Sequence, residues 1–496
     1  MPLPTSVANV ATRILELSPL AVACGCIHHT PRGQAISRAT NRLNPCQPTP
    51  IQTLGLHGGP RIRKGQLPAI SDQWNTAQWL LVTPFDRPLH SPSRVIAPRD
   101  RSAIILVTRS PDSMSLDLRQ VLPQVEQLGQ EAARRSADTA ARVPQAVQML
   151  SQAAQLDPEE LRRRIELAPP TTQPARPTDE PIDEVFPLPA HPPRLRLLAA
   201  DGSQVYPDRH GAAFYYVVNV GSIALAHGSG LAPQVHTRSR LHFTDDDLED
   251  TRGQPVDTHL INARRDAAEL EELAQLAGER ADGPTLALLD NGLLLWAASQ
   301  EQKAARPDVQ RVLQAYLHAL DQLQAAGAAL AGYISRPRSA HVVALADAAG
   351  AHPGALHGLT DRLLFGRRLS PLLRSARFRH PAKINEVFAE RGHEVHFFYL
   401  HTGAQDGIAR IEVPAWVAED QDRMAAVHAG LVEQCRLTGI PYPLVRAHEL
   451  ALVGQDDRRA LENLVQAALI RHGIPGLLSQ KAQTKRWTGR RRRHRI

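Results

Sequence analysis

The chain has 496 residues, 43% of them hydrophobic, and its 57 Lys and Arg against 50 Asp and Glu give a formal net charge of +7. That length allows two or three ordinary domains with a sizeable core, and the lack of any apolar run of about 18 residues or more excludes a membrane-spanning helix. Four cysteines (Cys24, Cys26, Cys46 and Cys435) are too few for a disulfide framework, and "MPLPTSVANVATRILELSPLAVACGC" lacks the compact charged segment of a signal peptide, so a cytoplasmic protein with no membrane association is expected.

Residues 1–113 carry twelve Lys and Arg against five Asp and Glu, which leaves 45 of each in the rest of the chain. This first segment is rich in Pro, Ser, Thr, Arg and His and sustains neither a helical nor a strand period. It reads as an atypical extension, either disordered or upstream of a physiological start at Met114. "CGCIHH" with Cys46 matches no zinc-ligand spacing. From Met114, Leu118, Val121, Val125 and Leu128 recur at helical spacing. A second helical stretch follows to Ala168, making 114–168 an N-terminal helical region. The Pro-rich stretch "PPTTQPARPTDEPIDEVFPLPAHPP", 169–193, is expected to be an extended linker.

The main domain, 194–472, opens near Arg194. Strands are expected at 195–200, 213–220 and 221–226, the last two as one strand or a hairpin. An amphipathic helix follows at 259–278 and a buried strand, "TLALLDNG", at 285–292. Next come a helix at 303–326, a strand at 329–337, a strand pair within 393–416, and helices at 420–438 and 456–472. Strands interleaved with long helices define an α/β class. A basic tail, 473–496, closes the chain with eight Lys and Arg from Lys481 on, either a solvated tail or a polyanion contact.

Two of the apolar strands run into aspartate, Leu197-Leu198-Ala199-Ala200-Asp201 and Leu286-Ala287-Leu288-Leu289-Asp290. Ligands of α/β sheets gather at strand ends, so the two carboxylates can lie together there. Close carboxylates repel, and a divalent cation relieves that repulsion; oxygen donors favour magnesium or manganese over zinc. A single Asp-Gly-Ser is also an ordinary turn sequence, because Asp accepts local backbone bonds and Gly supplies positive φ.

After the "ADGS" strand come "RRDAAELEEL", "LAGYISRPRSAHVV", "ARIEVPAW" and "GIPYPLVRAHELALVGQDDRRALENLV". In this order they resemble the NurA family of DNA-repair nucleases, over roughly residues 194–470. The resemblance implies an RNase H-like nuclease core, a mixed central sheet flanked by helices. It also implies manganese-dependent cleavage of DNA (with magnesium as the alternative ion), a homodimer, and a hexameric HerA-type ATPase as partner in double-strand break end resection.

Carried onto this chain, the family's two aspartates fall on Asp201 and Asp290. The second departs from the family's Asp-Gly-Ser, reading Asp290-Asn291-Gly292. The helix-borne glutamate falls on Glu269, which completes Arg-x-x-x-Glu with Arg265, with Glu272 three residues on as the alternative. The family's histidine falls on His448, preceded by Tyr442 in "PYPL". The resemblance thus implies Asp201, Glu269, Asp290 and His448 as metal ligands, with Tyr442 beside them in the catalytic set. Arg336, Arg338 and Arg410 are candidate phosphate contacts, since guanidinium forks match phosphate oxygens. For each of these charges the plainer role is a solvated group or a structural ion pair. A catalytically impaired subunit that guides DNA for the ATPase is the competing function, resting on Asn291. The chain contains no Gly-x-x-x-x-Gly-Lys-Ser/Thr loop, so ATP hydrolysis is left to the partner.

Overall fold

A computed structural model describes residues 117–474, apart from 210, 252, 280–281, 300–305, 351–353 and 406. The expectations for residues 1–113, including three of the cysteines, and for the basic tail from 475 onward lie outside the described residues.

Among the described residues eleven strands form one sheet. In chain order they are β1 (Arg176–Pro177), β2 (Val185–Phe186), β3 (Leu195–Val205), β4 (Tyr216–His227), β5 (Gln234–His242), β6 (Thr285–Leu289), β7 (Ala329–Ile334), β8 (Arg374–Ser375), β9 (Phe378–Arg379), β10 (Val395–His401) and β11 (Ile408–Pro414). β3 lies third from the β5 edge of the sheet, antiparallel to β4 and parallel to β6; β4 pairs antiparallel with β5, and β6 parallel with β7. The order β5-β4-β3-β6-β7, with three antiparallel strands leading into two parallel ones, is the RNase H-like arrangement. β11 and β10 extend the sheet antiparallel from β7. Leu197, Leu198, Ala199 and Ala200 of β3 are all fully buried. Such a continuous apolar run is what a strand covered on both faces requires.

The two covers follow from the pleat. Even-numbered residues of β3 face the Thr258–Ala277 helix, where Arg196 donates to the carbonyl of Leu276 and Gly202 abuts Arg265 and Glu269. Odd-numbered residues face the opposite layer, where Gly430 of the Gln421–Thr438 helix packs on Leu195 and the Tyr442–Ala451 helix crosses β4 at Gly221.

Several boundaries differ from the sequence expectation. β3 continues through Asp201 to Val205 instead of ending there, because its backbone keeps pairing with β4 as far as Val217. Residues 216–227 make one strand. β7 stops at Ile334, two residues before Arg336, whose φ of 55° is left-handed. The Pro-rich stretch 169–193 is more than a linker. It contributes β1 and β2, paired with β9 and β8, and Glu180 in it accepts from both Arg374 and Arg377. Short edge strands are where proline is tolerated. The Leu118–Ala153 helix buries Val143, Ala146, Leu150 and Ala153 in a second core shared with the His341–Ala349 and Asp361–Arg368 helices. Its earlier apolar residues Leu118, Leu122, Val125 and Leu128 are exposed. No helix of the described residues is long and apolar enough to cross a membrane.

Burial pushes His341 and His380 down to about 3, helped by the charge of Arg410, and pushes His428 down to about 4. Depressed imidazoles bind fewer protons folded than unfolded, so their stabilisation is full above the ordinary value near ~6.5 and is lost as pH falls toward the folded values. The denaturation midpoint is therefore expected to drop steadily from pH 6.5 to 4. His428→Gln should remove part of that drop, on the order of 2 kcal/mol. A His428→Gln profile as steep as that of the parent would contradict this account.

Candidate active site

Asp201 sits on β3, flanked by β4 and β6, and faces the Tyr442–Ala451 helix. Its β4 partner is Gly221. A Cβ at Gly221 would lie 2.5 Å from the Ala451 nitrogen and 2.7 Å from the Ala447 oxygen, so only glycine admits the helix at this distance. Ser203 Oγ and Asn219 Nδ2 both donate to the Ala451 carbonyl, at 2.5 and 2.8 Å, and fix the helix end. Docked this way, the helix brings His448 Nδ1 to 2.6 Å from Asp201 Oδ2. The His448 side chain remains 62% exposed. Asp201 Oδ1 accepts from the Gly202 amide at 2.9 Å.

Glu269 approaches from the other cover, and Gly202 explains how. A Cβ there would stand 2.5 Å from Glu269 Oε1 and 2.6 Å from Arg265 Cγ. The glycine of Asp-Gly-Ser is thus not a turn residue but a notch that admits the glutamate. Glu269 is 4% exposed. Its Oε1 has no hydrogen-bond partner; Arg265 Nε is 3.1 Å away as an ion-pair contact only. The Arg265 guanidinium is instead spent on Asp266 Oδ1, at 2.5 and 3.2 Å. Gly202→Ala is expected to displace Glu269 and cost about 1–3 kcal/mol of stability. Cleavage should fall with it, and unchanged melting and activity would show that Glu269 does not need the notch.

Asp290 follows β6 directly and is exposed. The loop after it is rigidly held: Glu412 Oε2 accepts from the Leu293 amide at 2.9 Å, and Tyr316 donates to the Leu293 carbonyl at 3.0 Å. A Cβ at Gly292 would meet Glu412 Oε2 at 2.7 Å, and one at Gly332 would meet the Asn291 carbonyl at 2.4 Å. The shift from Asp-Gly-Ser to Asp-Asn-Gly therefore places its glycine where this loop meets Glu412.

The carboxylates feel one another. Burial, then the charges of Asp266, Asp201 and Asp290, hold Glu269 well above the usual carboxylate range, against the opposing pull of Arg265. The surrounding protein raises Asp290, and Asp201 raises it further. Burial raises Asp266, although Arg265 opposes it. For Arg265, burial disfavours the charge, but Asp266, Glu269 and Asp201 outweigh it. The balance is a surplus of negative charge with one cation built in.

The remaining candidates are placed differently. Glu272 is buried rather than near water; its Oε1 accepts from Ser222 Oγ at 2.9 Å, and Oε2 lies 3.3 Å from Arg238. Ser222 pairs with Ala200, one position short of Asp201. Arg410 is 2% exposed, paired with Glu412 at 2.9 Å, and stacked 3.6 Å from the Phe397 ring centre. It is a structural ion pair and not a surface phosphate contact. Arg336 and Arg338 are exposed on the loop after β7 and form no ion pair among the described residues. Tyr442 is exposed in the first turn of the helix that carries His448, six residues or about 9 Å of axis away. Arg265, Asp266 and Tyr316 escaped the sequence reading as site residues. Only the adjacency of Arg265 and Asp266 to the motif glutamate could have signalled two of them.

Among the described residues no three His, Cys, Asp or Glu side chains stand together as a ready-made metal cage. The donor set nonetheless fits a hard divalent cation. It is carboxylate-rich, carries uncompensated charge, and includes a buried Glu269 oxygen lacking a hydrogen-bond partner.

The RNase H-like sheet thus carries Asp201 on β3, Asp290 directly after β6 and Glu269 on a covering helix, and their charges act on one another. Residues 195–453, more than half of the chain, match the NurA domain family, and the chain belongs to that nuclease family. A search of curated proteins returns no match. Similar solved structures include the NurA nuclease from Sulfolobus solfataricus, with 13% identity, 70% of this chain and 98% of that chain covered, and a TM-score of 0.43. A NurA bound to dAMP and manganese aligns at 10% identity over 71% and 98% of the two chains, with a TM-score of 0.34. The catalytic domain of human endonuclease V aligns at 17% identity over 54% and 83%, with a TM-score of 0.28.

Proposed function

We propose that this nuclease is a manganese-dependent deoxyribonuclease, acting as an exonuclease on DNA ends and as an endonuclease on single strands. The observation that carries the reading is the mutual charge interaction of Asp201, Asp290 and Glu269 about β3 and β6, with Glu269 Oε1 buried and lacking a hydrogen-bond partner. When bound, a divalent cation held by Asp201, Glu269 and Asp290, with His448 beside them, supplies Lewis-acid activation of water and of the scissile phosphate. Magnesium is the alternative ion. The protein's own groups do the rest. Asp201 fixes His448 by its Nδ1 contact, and the exposed imidazole holds or passes a proton at the reacting centre. Arg336 and Arg338 meet the phosphate backbone, each as a bidentate fork. Tyr442 adds a hydroxyl for phosphate one helical stretch away.

In this reading the chain works as a homodimer in double-strand break end resection, with a HerA-type hexameric ATPase that feeds it DNA. The competing role, a catalytically impaired DNA guide, rests on Asn291; against it stands Asp290, which directly follows the β6 residue paired with Ala200 and is raised by the charge of Asp201. Incubating end-labelled single-stranded DNA with the full chain separates the two. Products with manganese and none with EDTA are expected; intact DNA with manganese would support the guide.

A further inference from the structure

Trp296 has no part in the cluster described above, yet the fold presents it beside that cluster. Its indole is 55% exposed. Its neighbours are not: Leu293, Leu294 and Leu295 before it and Ala298 after it are buried. The segment is anchored at Leu293 by Glu412 and Tyr316. Ser299 Oγ donates to the Trp296 carbonyl at 2.7 Å. A short, anchored helical turn thus holds the largest aromatic side chain outward while burying smaller apolar ones. One edge of the indole is steadied by His380, with ring centres 5.8 Å apart and planes at 63°.

Trp296 also lines two cavities that share Arg265 and Asp266. One, of about 140 Å³, includes Glu269, Asn291 and Gly292. The other, of about 410 Å³, is bounded by His259, Asn262, Ala263, Ala297 and Ser299. Asn262 Oδ1 accepts from the Tyr206 hydroxyl at 2.6 Å, which orients the amide. The larger cavity therefore combines an exposed ring with polar edges, and it shares Arg265 and Asp266 with the smaller cavity that includes Glu269. An aromatic face open to solvent at the edge of a phosphodiester-cleaving site suits a flat, π-faced group arriving with the strand.

We propose that Trp296 is a stacking platform for a nucleobase of single-stranded DNA next to the scissile bond, with Asn262 and His259 at the base's edge. This rests on the nuclease reading given above. Stacking on an indole tolerates any base, so the contact would strengthen binding without choosing a sequence.

The test is fluorescence polarisation of labelled single-stranded DNA, and of an equally long strand of abasic sugar phosphates. The protein is the full chain with Asp201→Asn, so that bound DNA is not consumed. Added to that background, Trp296→Ala is expected to weaken the normal strand about fivefold or more. It should leave the abasic strand unchanged, and Trp296→Phe should restore most of the loss. Trp296→Leu, which keeps apolar bulk without a π face, replaces the Ala variant if that one does not fold. Equal losses on both strands, no loss on the normal strand, or no binding by the Asp201→Asn parent would overturn the proposal. Failure of the nuclease reading looks different: the wild-type chain would bind and show the stacking pattern but release no cleavage products.

Discussion

Asp201→Asn is expected to lower the rate of DNA cleavage about a thousandfold or more, roughly 4 kcal/mol in the barrier, with the fold unchanged. The substitution keeps the side-chain shape and leaves the buried Leu197–Ala200 stretch of β3 untouched. What it removes is a charge that acts on three neighbours. Asp201 raises Glu269 and Asp290 and favours the cationic form of Arg265, and it anchors His448 at 2.6 Å. An amide at this place offers a metal only a neutral oxygen. Circular dichroism and a melting curve next to the cleavage assay separate a chemical loss from a folding loss. Near-normal cleavage by a well-folded Asp201→Asn protein would put the reacting centre elsewhere.

The second large effect separates two glutamates on one helix. Glu269→Gln is expected to stop cleavage and to abolish manganese binding, yet to leave the metal-free protein as stable as the parent or about 1–2 kcal/mol more stable. The gain follows from burial among like charges: Glu269 is nearly inaccessible, and its ionised form is disfavoured by desolvation and by Asp266, Asp201 and Asp290. Glu272→Gln should keep most of the activity. Its Oε1 accepts from Ser222, while its Oε2, like Glu269 Oε1, lacks a hydrogen-bond partner and makes only an ion-pair contact, here with Arg238; with Arg238 more than half exposed, that ion pair is worth about 1 kcal/mol or less. Manganese affinity, melting temperature and cleavage of both variants decide the matter. The reverse order of losses would make Glu272 the metal ligand.

Much of the central sheet could be read from the sequence because it obeys simple rules. The uninterrupted apolar runs of β3 and β6 show strands covered on both faces, and the helix before β6 shows a helical period. β5 could not be seen that way. Its sequence, "QVHTRSRLH", lies at the sheet edge, is exposed at all but its last residue, and has no apolar stripe. The end of β3 was misplaced for a related reason. Asp-Gly-Ser looks like a turn locally, and tertiary pairing with β4, with Glu269 and Arg265 packed against Gly202, keeps it extended. The same holds for residues 169–193, where prolines suggest a linker and tertiary pairing makes two edge strands.

The candidate residues could be named from the sequence, but their geometry could not. Motif order pointed to Asp201, Glu269, Asp290 and His448, and the fold sets them on β3, the Thr258–Ala277 helix, the β6 loop and the Tyr442–Ala451 helix. Sequence could not tell that Arg410 is consumed by Glu412, since a buried ion pair and a phosphate-binding arginine look alike in one dimension. Nor could it show Trp296 outside, because an apolar stretch such as "NGLLLWAAS" gives no sign of which residue is left uncovered.

The central claim is that Asp201, Glu269 and Asp290 hold a divalent ion beside β3 and β6. Its most direct test is anomalous diffraction from crystals of the full chain soaked in manganese. The account predicts an anomalous peak within coordination distance of all three carboxylates, and no peak there in Glu269→Gln. A manganese peak elsewhere, or none at these carboxylates in the wild-type chain, would contradict it.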